Sequence, residues 1–120
     1  MATDLTAKQC VACHGGMPAL TPEEIARLMP QLHGWRIEDE KKLVKTYRFK
    51  DFVQAVDFVN AITPVIEAEG HHPTLTVRWG AVRVSYWTHA IDALTENDFI
   101  MAAKLDQIYG IEKSEVRSEK

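Results

Sequence analysis

The sequence predicts an α+β domain: a four-stranded antiparallel sheet with three helices packed on one face. Segments with helical spacing of apolar residues alternate with pairs of shorter β-rich segments, in the order α-β-β-α-β-β-α. The two segments of each pair are separated by a short turn, as in antiparallel hairpins. With 120 residues, of which 46% are hydrophobic and 26% charged, the chain is long enough for one such domain and too short for two ordinary ones.

The first helix is predicted to begin after residue 20. Thr21 suits the N-cap, Pro22 suits the first helical position, and Glu24 completes a capping box with Thr21. Apolar residues then recur at helical spacing, and Gly34 is expected to end the helix.

Residues 35–38 and 43–49 are predicted to form the first two strands, on either side of a polar turn. The alternation along 43–49 leaves open which side of the strand is buried. Asp51 suits the N-cap of the longest helix, which is expected to end just before Gly70. Pro64 falls inside this helix and is expected to kink it or open it locally.

Residues 75–79 and 81–88 are two further β-rich runs. Gly80 alone separates them, which predicts a tight hairpin. Thr95 opens the last helix in a second capping box, and Gly110 is expected to end that helix.

The chain divides into an irregular N-terminal arm at 1–20, a single domain at 21–110 and a polar C-terminal tail at 111–120. A net charge of −3 argues against sequence-independent binding of nucleic acid, which needs a clustered basic surface. No apolar run reaches the roughly 18 residues of a membrane span, and the first residues do not resemble a secretory signal. We therefore expect a cytoplasmic protein without nucleic-acid or membrane partners.

The arm contains Cys10 and Cys13, followed by His14, which matches the C-x-x-C-H pattern of haem attachment. Covalent haem is normally attached outside the cytoplasm, and a zinc site would need four ligands where no second C-x-x-C exists. We interpret the segment as an ordered arm with two unpaired thiols, so neither a metal nor a cofactor is predicted.

Three histidines mark the two ends of the second hairpin. His71 and His72 precede its first strand, and His89 follows its second strand. Imidazole gives or takes a proton near neutral pH, so this grouping predicts acid–base chemistry. Glu67 lies one helical turn before His71 and is placed to hold an imidazole in one tautomer. A zinc site is the rival interpretation, but neighbouring side chains on extended backbone point in opposite directions, so His71 and His72 are poorly placed to bind one ion.

An aspartate and two tryptophans can be explained by structural roles alone. Asp98 occupies the third position of the last helix, where an acid satisfies backbone donors and favours the helix dipole. Trp35 and Trp87 are more typical of a core or an interface than of a ligand platform.

The spacing of these residues resembles that of the pterin-4a-carbinolamine dehydratases, also known as the family of the dimerization cofactor of a hepatocyte nuclear factor. The motif that carries the resemblance is Glu67-x-x-x-His71-His72-Pro73, then Trp79, His89 and Asp98. Upstream, the similar segments are Leu20-Thr21-x-x-Glu24, Gly34-Trp35 and Phe49-Lys50-Asp51-Phe52. The resemblance covers roughly residues 20 to 110, and the combined motif is specific.

The resemblance implies a hydro-lyase that removes water from 4a-hydroxytetrahydrobiopterin to give quinonoid dihydropterin, without a metal or an organic cofactor. In this scheme His71 and His89 would be the acid and the base, in either order. His72 would position the hydroxyl or share the proton, and Glu67 would orient the set. The implied substrate-binding residues are Trp35, Thr88 and Asp98.

The resemblance also implies partners and alternatives. A homodimer or homotetramer is expected, and the open edges of a small sheet favour such pairing. The functional partner would be an aromatic amino-acid hydroxylase, whose tetrahydrobiopterin the enzyme recycles. The alternatives are a non-catalytic interaction protein, such as a transcription coactivator or an assembly factor for a carbon-fixing enzyme, and a pterin enzyme of molybdenum-cofactor metabolism.

Overall fold

The computed structural model describes residues 4–118, with side chains for residues 4–110. The predicted fold class and element order are confirmed. The elements are α1 (Pro22–Leu28), β1 (Arg36–Glu38), β2 (Lys42–Arg48), α2 (Phe52–Glu69), β3 (Thr74–Arg78), β4 (Ala81–Tyr86) and α3 (Glu96–Ser118). Two single-turn 3₁₀ helices, Leu5–Ala7 and Met29–Gln31, lie in the arm and directly after α1.

The four strands form one sheet in the order β1-β2-β4-β3, and every pair of neighbours is antiparallel. Because α2 carries the chain from β2 to β3, these two strands run in the same direction with β4 between them. Thr74 pairs with Ser85 across the second hairpin. The start of β3 and the end of β4 therefore lie side by side, and this edge of the sheet positions the candidate site.

The structure decides which face of β2 is buried against the helices. Leu43 and Tyr47 are fully buried there, together with Val82, Val84 and Tyr86 of β4. The aromatic ring of Phe58 on α2 packs 4.7 Å from that of Tyr47, centroid to centroid. The core therefore lies between one face of the sheet and the helices, where burial of apolar surface stabilises the fold.

A largely buried carboxylate joins three segments of the chain beside this core. Asp106 on α3 accepts hydrogen bonds from Trp35 Nε1 at 3.0 Å and from the Tyr47 hydroxyl at 2.7 Å, and it pairs with Lys45 Nζ at 2.7 Å. Burial, followed by the negative charge of Asp106, raises the pKa of Tyr47 well above its ordinary value. Trp35 is thereby fixed inside the core, with 7% of its surface exposed.

The predicted helix starts are present. Thr21 and Glu24 form both hydrogen bonds of the capping box, and the Asp51 side chain accepts from the backbone N–H of Gln54 at 2.9 Å. Gly70 ends α2 in the left-handed conformation, with φ of 68°, which strains any residue with a β-carbon. Pro64 lies inside α2, which runs without interruption from its first to its last residue.

The predicted end of the last helix is wrong. The helix continues through Gly110 to Ser118, so most of the predicted tail at 111–120 is helical, and residues 119–120 lie outside the described residues. A glycine costs a helix interior only about 1 kcal/mol relative to alanine, and it ends a helix chiefly by adopting a positive φ, which Gly110 does not. Among the helices within residues 4–118, none has the length and apolar character to cross a bilayer.

Candidate active site

Three segments meet at the candidate site: the link from α2 to β3, the end of β4 and the start of α3. His71 lies in the first segment directly after the Gly70 cap, and Thr88 lies just beyond β4. Asp98 lies in the first turn of α3. The pairing of β3 with β4 brings the first two segments together, and the start of α3 covers them.

His71 is buried, with 7% of its surface exposed, and is held from several sides. Its Nε2 atom lies 2.6 Å from Oδ1 of Asp98. Its ring stacks on Tyr86 with centroids 5.3 Å apart, and the Tyr86 hydroxyl donates to the backbone carbonyl of His71 at 2.9 Å. The imidazole therefore has a fixed orientation.

Asp98 is completely buried and connects the segments. Its second oxygen, Oδ2, accepts from the hydroxyl of Thr88 and from the backbone N–H of Thr95, both at 2.9 Å. It thus caps the helix, as the structural interpretation of the sequence expected, and it also holds His71. Both of its oxygens are occupied within the protein, so its observed part is to position other groups.

An ionised carboxylate can only accept hydrogen bonds, so Asp98 holds the His71 tautomer that carries a proton on Nε2. The second ring nitrogen, Nδ1, is then left as a base. Among the described residues, no buried side-chain nitrogen or oxygen atom lacks a partner. The network around His71 is therefore complete, which favours a single orientation of the ring.

His72 points away from His71, as expected for neighbouring side chains on extended backbone. It is exposed, and its Nε2 atom lies 2.5 Å from Oε2 of Glu67 near the end of α2. Glu67 therefore contacts the second imidazole and not the first.

His89 lies at the surface in a tight loop after β4. The backbone N–H of Thr88 donates to the carbonyl of Ala93 at 2.9 Å, which closes this loop. The ring of His89 stacks on Trp87 at 4.2 Å between centroids, and Lys42 Nζ lies 4.7 Å above the Trp87 ring. The imidazole of His89 is exposed, next to Thr88 and thus one residue from the Asp98 network.

The structure brings together some of the predicted site residues and not others. Hydrogen bonds join His71, Asp98 and Thr88, while His89 follows Thr88 directly and His72 forms a separate pair with Glu67. Within residues 4–110, no hydrogen bond or ring contact joins the three imidazoles to one another. Trp35 is not brought to this site: its partner Asp106 lies eight residues beyond Asp98, or about 12 Å along α3.

The N-terminal arm packs against the candidate site, which the sequence did not show. The backbone N–H of Cys10 donates to Glu69 Oε1 at 2.7 Å, and the side chain of Asn97 holds the N–H and the carbonyl of Val11 at 3.0 and 2.7 Å. Cys13 Sγ lies 3.7 Å from Nδ1 of His71. Both thiols are free, as expected. The C-x-x-C-H pattern was the only sequence signal for this contact, because 58 positions separate Cys13 from His71.

Comparison with known proteins gives a family match over most of the chain. The family described as "Pterin 4 alpha carbinolamine dehydratase" matches residues 18–108. A protein of Methylococcus capsulatus named "Putative pterin-4-alpha-carbinolamine dehydratase" is 48% identical over 108 residues, which cover 89% of this chain and 95% of the relative. A protein of the same name from Rubrobacter xylanophilus is 44% identical and covers 88% of this chain and 99% of its own length.

Solved structures show the same fold. A transcriptional coactivator/pterin dehydratase from Brucella melitensis superposes with a TM-score of 0.73 at 30% identity, over 78% of this chain and all of that chain. A pterin dehydratase-like protein described as a RuBisCO assembly factor in the alpha-carboxysome superposes with a TM-score of 0.57 at 24% identity, over 67% of this chain and 94% of that chain, which is evidence for the fold alone. From these matches, the chain belongs to the pterin 4 alpha carbinolamine dehydratase family.

Proposed function

We propose that this protein is a 4a-hydroxytetrahydrobiopterin dehydratase, a hydro-lyase that acts in tetrahydrobiopterin recycling without a metal or an organic cofactor. The observation that carries the proposal is the buried pair of His71 and Asp98, in a chain whose family match includes the whole motif from Glu67 to Asp98. An imidazole fixed by a carboxylate is suited to proton transfer near neutral pH.

Dehydration of the carbinolamine requires two proton transfers. A general acid protonates the hydroxyl on the ring carbon, the C–O bond breaks and water leaves. A general base removes the proton of the adjacent ring nitrogen, whose electrons form the C=N double bond of quinonoid dihydropterin. Imidazoles serve both steps because their ordinary pKa lies near neutrality.

We assign the acid and the base to His71 and His89, in either order. The support is positional: Asp98 fixes His71, and His89 lies one residue from Thr88, which the same carboxylate holds. His72 would position the hydroxyl or share its proton, with Glu67 as its partner at 2.5 Å.

The substrate-binding assignments differ in their support. Thr88 and Asp98 lie in the site, where each holds other protein groups. Trp35 lies in the core and bonds to Asp106, so we leave it out of the proposed site. An aromatic amino-acid hydroxylase as functional partner and a cytoplasmic location remain predictions.

The test follows the ultraviolet absorbance of freshly generated 4a-carbinolamine. We expect the wild-type chain to accelerate dehydration, and His71→Ala or His89→Ala to lower the rate by about 10²-fold, the usual scale of general acid–base help. His33→Ala, at an exposed histidine after α1, is the matched control and should keep the full rate. A wild-type rate equal to the spontaneous one would defeat the proposal, and unchanged rates in both site variants would reject the assigned roles.

An interaction protein is the second candidate, because the Brucella melitensis relative is described as a transcriptional coactivator as well as a pterin dehydratase. A role of this kind would not need the imidazoles. Recovery of one defined partner by wild type and by the His71→Ala, His89→Ala double variant alike, without catalysis by wild type, would favour it.

A further inference from the structure

Cys13 lies at the edge of the site, where the proposed dehydration does not use it. Its Sγ atom is 3.7 Å from Nδ1 of His71 and 3.5 Å from Nδ2 of Asn97. Asn97 also holds the backbone of Val11, so the docked arm fixes the thiol against the imidazole. Cys13 itself remains exposed to solvent and thus accessible to a small reagent.

Cys13, His71 and Asp98 form a chain of nucleophile, base and orienting carboxylate. Asp98 lies 2.6 Å from one ring nitrogen of His71, and the thiol faces the other. A nucleophile within reach of a base that a third group orients is the usual arrangement of an activated side chain. The imidazole is placed to take the thiol proton, and the thiolate is the reactive form of cysteine.

Cys10, three residues earlier, has the opposite environment. It is half-buried, and its Sγ atom contacts the backbone carbonyl of Asn97 at 3.8 Å. Burial, followed by the negative charge of Glu69, raises the pKa of the Cys10 thiol to about 12. Such a thiol stays protonated at neutral pH and reacts slowly. The two cysteines therefore provide an internal comparison within one arm.

We propose that Cys13 is a covalent modification site for low-molecular-weight disulfides and that His71 activates it. His71 takes the thiol proton, and the Cys13 thiolate attacks one sulfur of the disulfide. A new S–S bond forms to that sulfur, the original S–S bond breaks, and the departing thiolate takes up the proton from His71. The small disulfide is the oxidant: Cys13 is oxidised to a mixed disulfide and one small thiol is released.

The modification also has a consequence for the site, and this consequence rests on the proposed function. The group added to Cys13 would lie against Nδ1 of His71, the ring nitrogen that Asp98 does not contact. Oxidation of Cys13 therefore blocks His71, one of the two proposed proton-transfer groups, and slows dehydration until a reducing thiol removes the added group.

The test treats the reduced full-length chain with oxidised glutathione at neutral pH and measures adducts on Cys10 and Cys13 by fragment mass spectrometry. We expect the Cys13 adduct to form at least about tenfold faster in the native protein than in the same chain in concentrated urea, where His71 is no longer held beside it. The Cys10 adduct should appear in urea and not in the native protein. A native Cys13 rate no higher than the rate in urea would overturn the proposal without any variant.

Two variants test the part of His71. His71→Gln removes the base and should slow the Cys13 reaction at least about tenfold, the scale of lost base assistance. His33→Gln, at the exposed histidine after α1, is the matched control and should leave the rate of the Cys13 reaction unchanged. In each variant, the absence of a Cys10 adduct shows that the arm is still docked. An unchanged Cys13 rate in such a docked His71→Gln protein would overturn the activation.

The dehydration assay separates this proposal from the proposed function. Dehydration by the Cys13 adduct should fall at least about tenfold and recover on reduction, since one of the two proton-transfer groups is blocked. An adduct that dehydrates at the full rate would contradict the proposal that modification of Cys13 blocks the site. Fast modification of Cys13 in a chain without dehydratase activity would support the modification site and contradict the proposed function alone.

Discussion

Asp98 determines how the central histidine is held. Its two oxygens accept from an imidazole, a hydroxyl and a backbone N–H that belong to three different segments. Hydrogen bonds to a charged group are worth more than neutral ones, about 1.5–3 kcal/mol each. Asp98 is therefore important both for local stability and for the orientation of His71.

The variant Asp98→Asn tests the orientation of His71 by Asp98, because asparagine has nearly the same shape as aspartate. The amide nitrogen of asparagine donates and cannot accept, so at least one of the three donors around Asp98 loses its partner. If His71 acts in dehydration, we expect kcat/KM to fall by about 10- to 10²-fold and its pH profile to change. Asp57→Asn, at an exposed position of α2, is the control and should change neither.

A purely structural role of Asp98 predicts a different result. If Asp98 only supports the fold, the variant should lose stability in urea while the remaining folded protein keeps the wild-type rate and pH profile. That outcome would contradict the positioning of His71 by Asp98.

Site residues that lie within one local motif could be predicted from the sequence, and those that depend on long-range packing could not. Local spacing placed Glu67 within reach of an imidazole and Asp98 at a helix start, but it did not show that the imidazole is that of His72. Cys13 reaches His71 only because the arm docks on Asn97 and Glu69. No periodicity encodes that docking, so sequence reasoning placed the arm outside the site.

Single secondary-structure elements show the same division. The N-caps at Thr21 and Asp51 and the C-cap at Gly70 were predictable, because each motif acts within a few residues. Gly110 was misleading, since a glycine that keeps helical φ does not end a helix. The buried face of β2 became clear only from packing, because both of its faces carry apolar residues such as Leu43 and Val44.

The docked arm should weaken at alkaline pH. The folded protein holds the proton of Cys10 up to about pH 12, whereas the unfolded chain releases it near the ordinary value of 9.0. The stabilisation is thus fully present below pH 9.0 and is lost progressively as the pH rises towards about 12.

The measurement compares the free energy of unfolding of wild type and Cys10→Ser at about pH 8 and about pH 10, because serine does not titrate in this range. Wild type should lose more stability than Cys10→Ser between the two values. Equal losses would contradict the environment assigned to the thiol.

At the scale of the whole molecule, Asp106 joins α3 to β2 and to the residue that precedes β1. It bonds to Lys45, Tyr47 and Trp35, and its side chain is only 10% exposed. Removing one partner of a buried ion pair leaves the other charge uncompensated, which costs about 3–5 kcal/mol.

Asp106→Ala should therefore lower the free energy of unfolding in urea by about 3 kcal/mol, a large fraction of the stability of a small domain. Asp92→Asn, which breaks the exposed pair with Lys41, is the control and should have little effect. A loss in Asp106→Ala no larger than in Asp92→Asn would show that this network contributes little.

The expected homo-oligomer remains a prediction. The sheet has two open edges, β1 and β3, and large apolar side chains are exposed at Phe52, Val53, Val77 and Trp79. Light scattering should give about two or four times the chain mass of 13.6 kDa. Val77→Glu, on edge strand β3, should shift the mass towards the monomer. A wild-type monomer would contradict the expectation.

The strand order has a consequence for synthesis on the ribosome. The strand that joins the two parts of the sheet is β4, the last of the four to be made. A nascent chain released up to Gly80 holds the ribbon of β1 and β2, the helices α1 and α2, and a third strand that has no strand to pair with. The sheet can close only after Tyr86 has left the exit tunnel, and the acid that fixes His71 follows another twelve residues behind it. Closure of the sheet should therefore be a late step in the folding of the nascent chain.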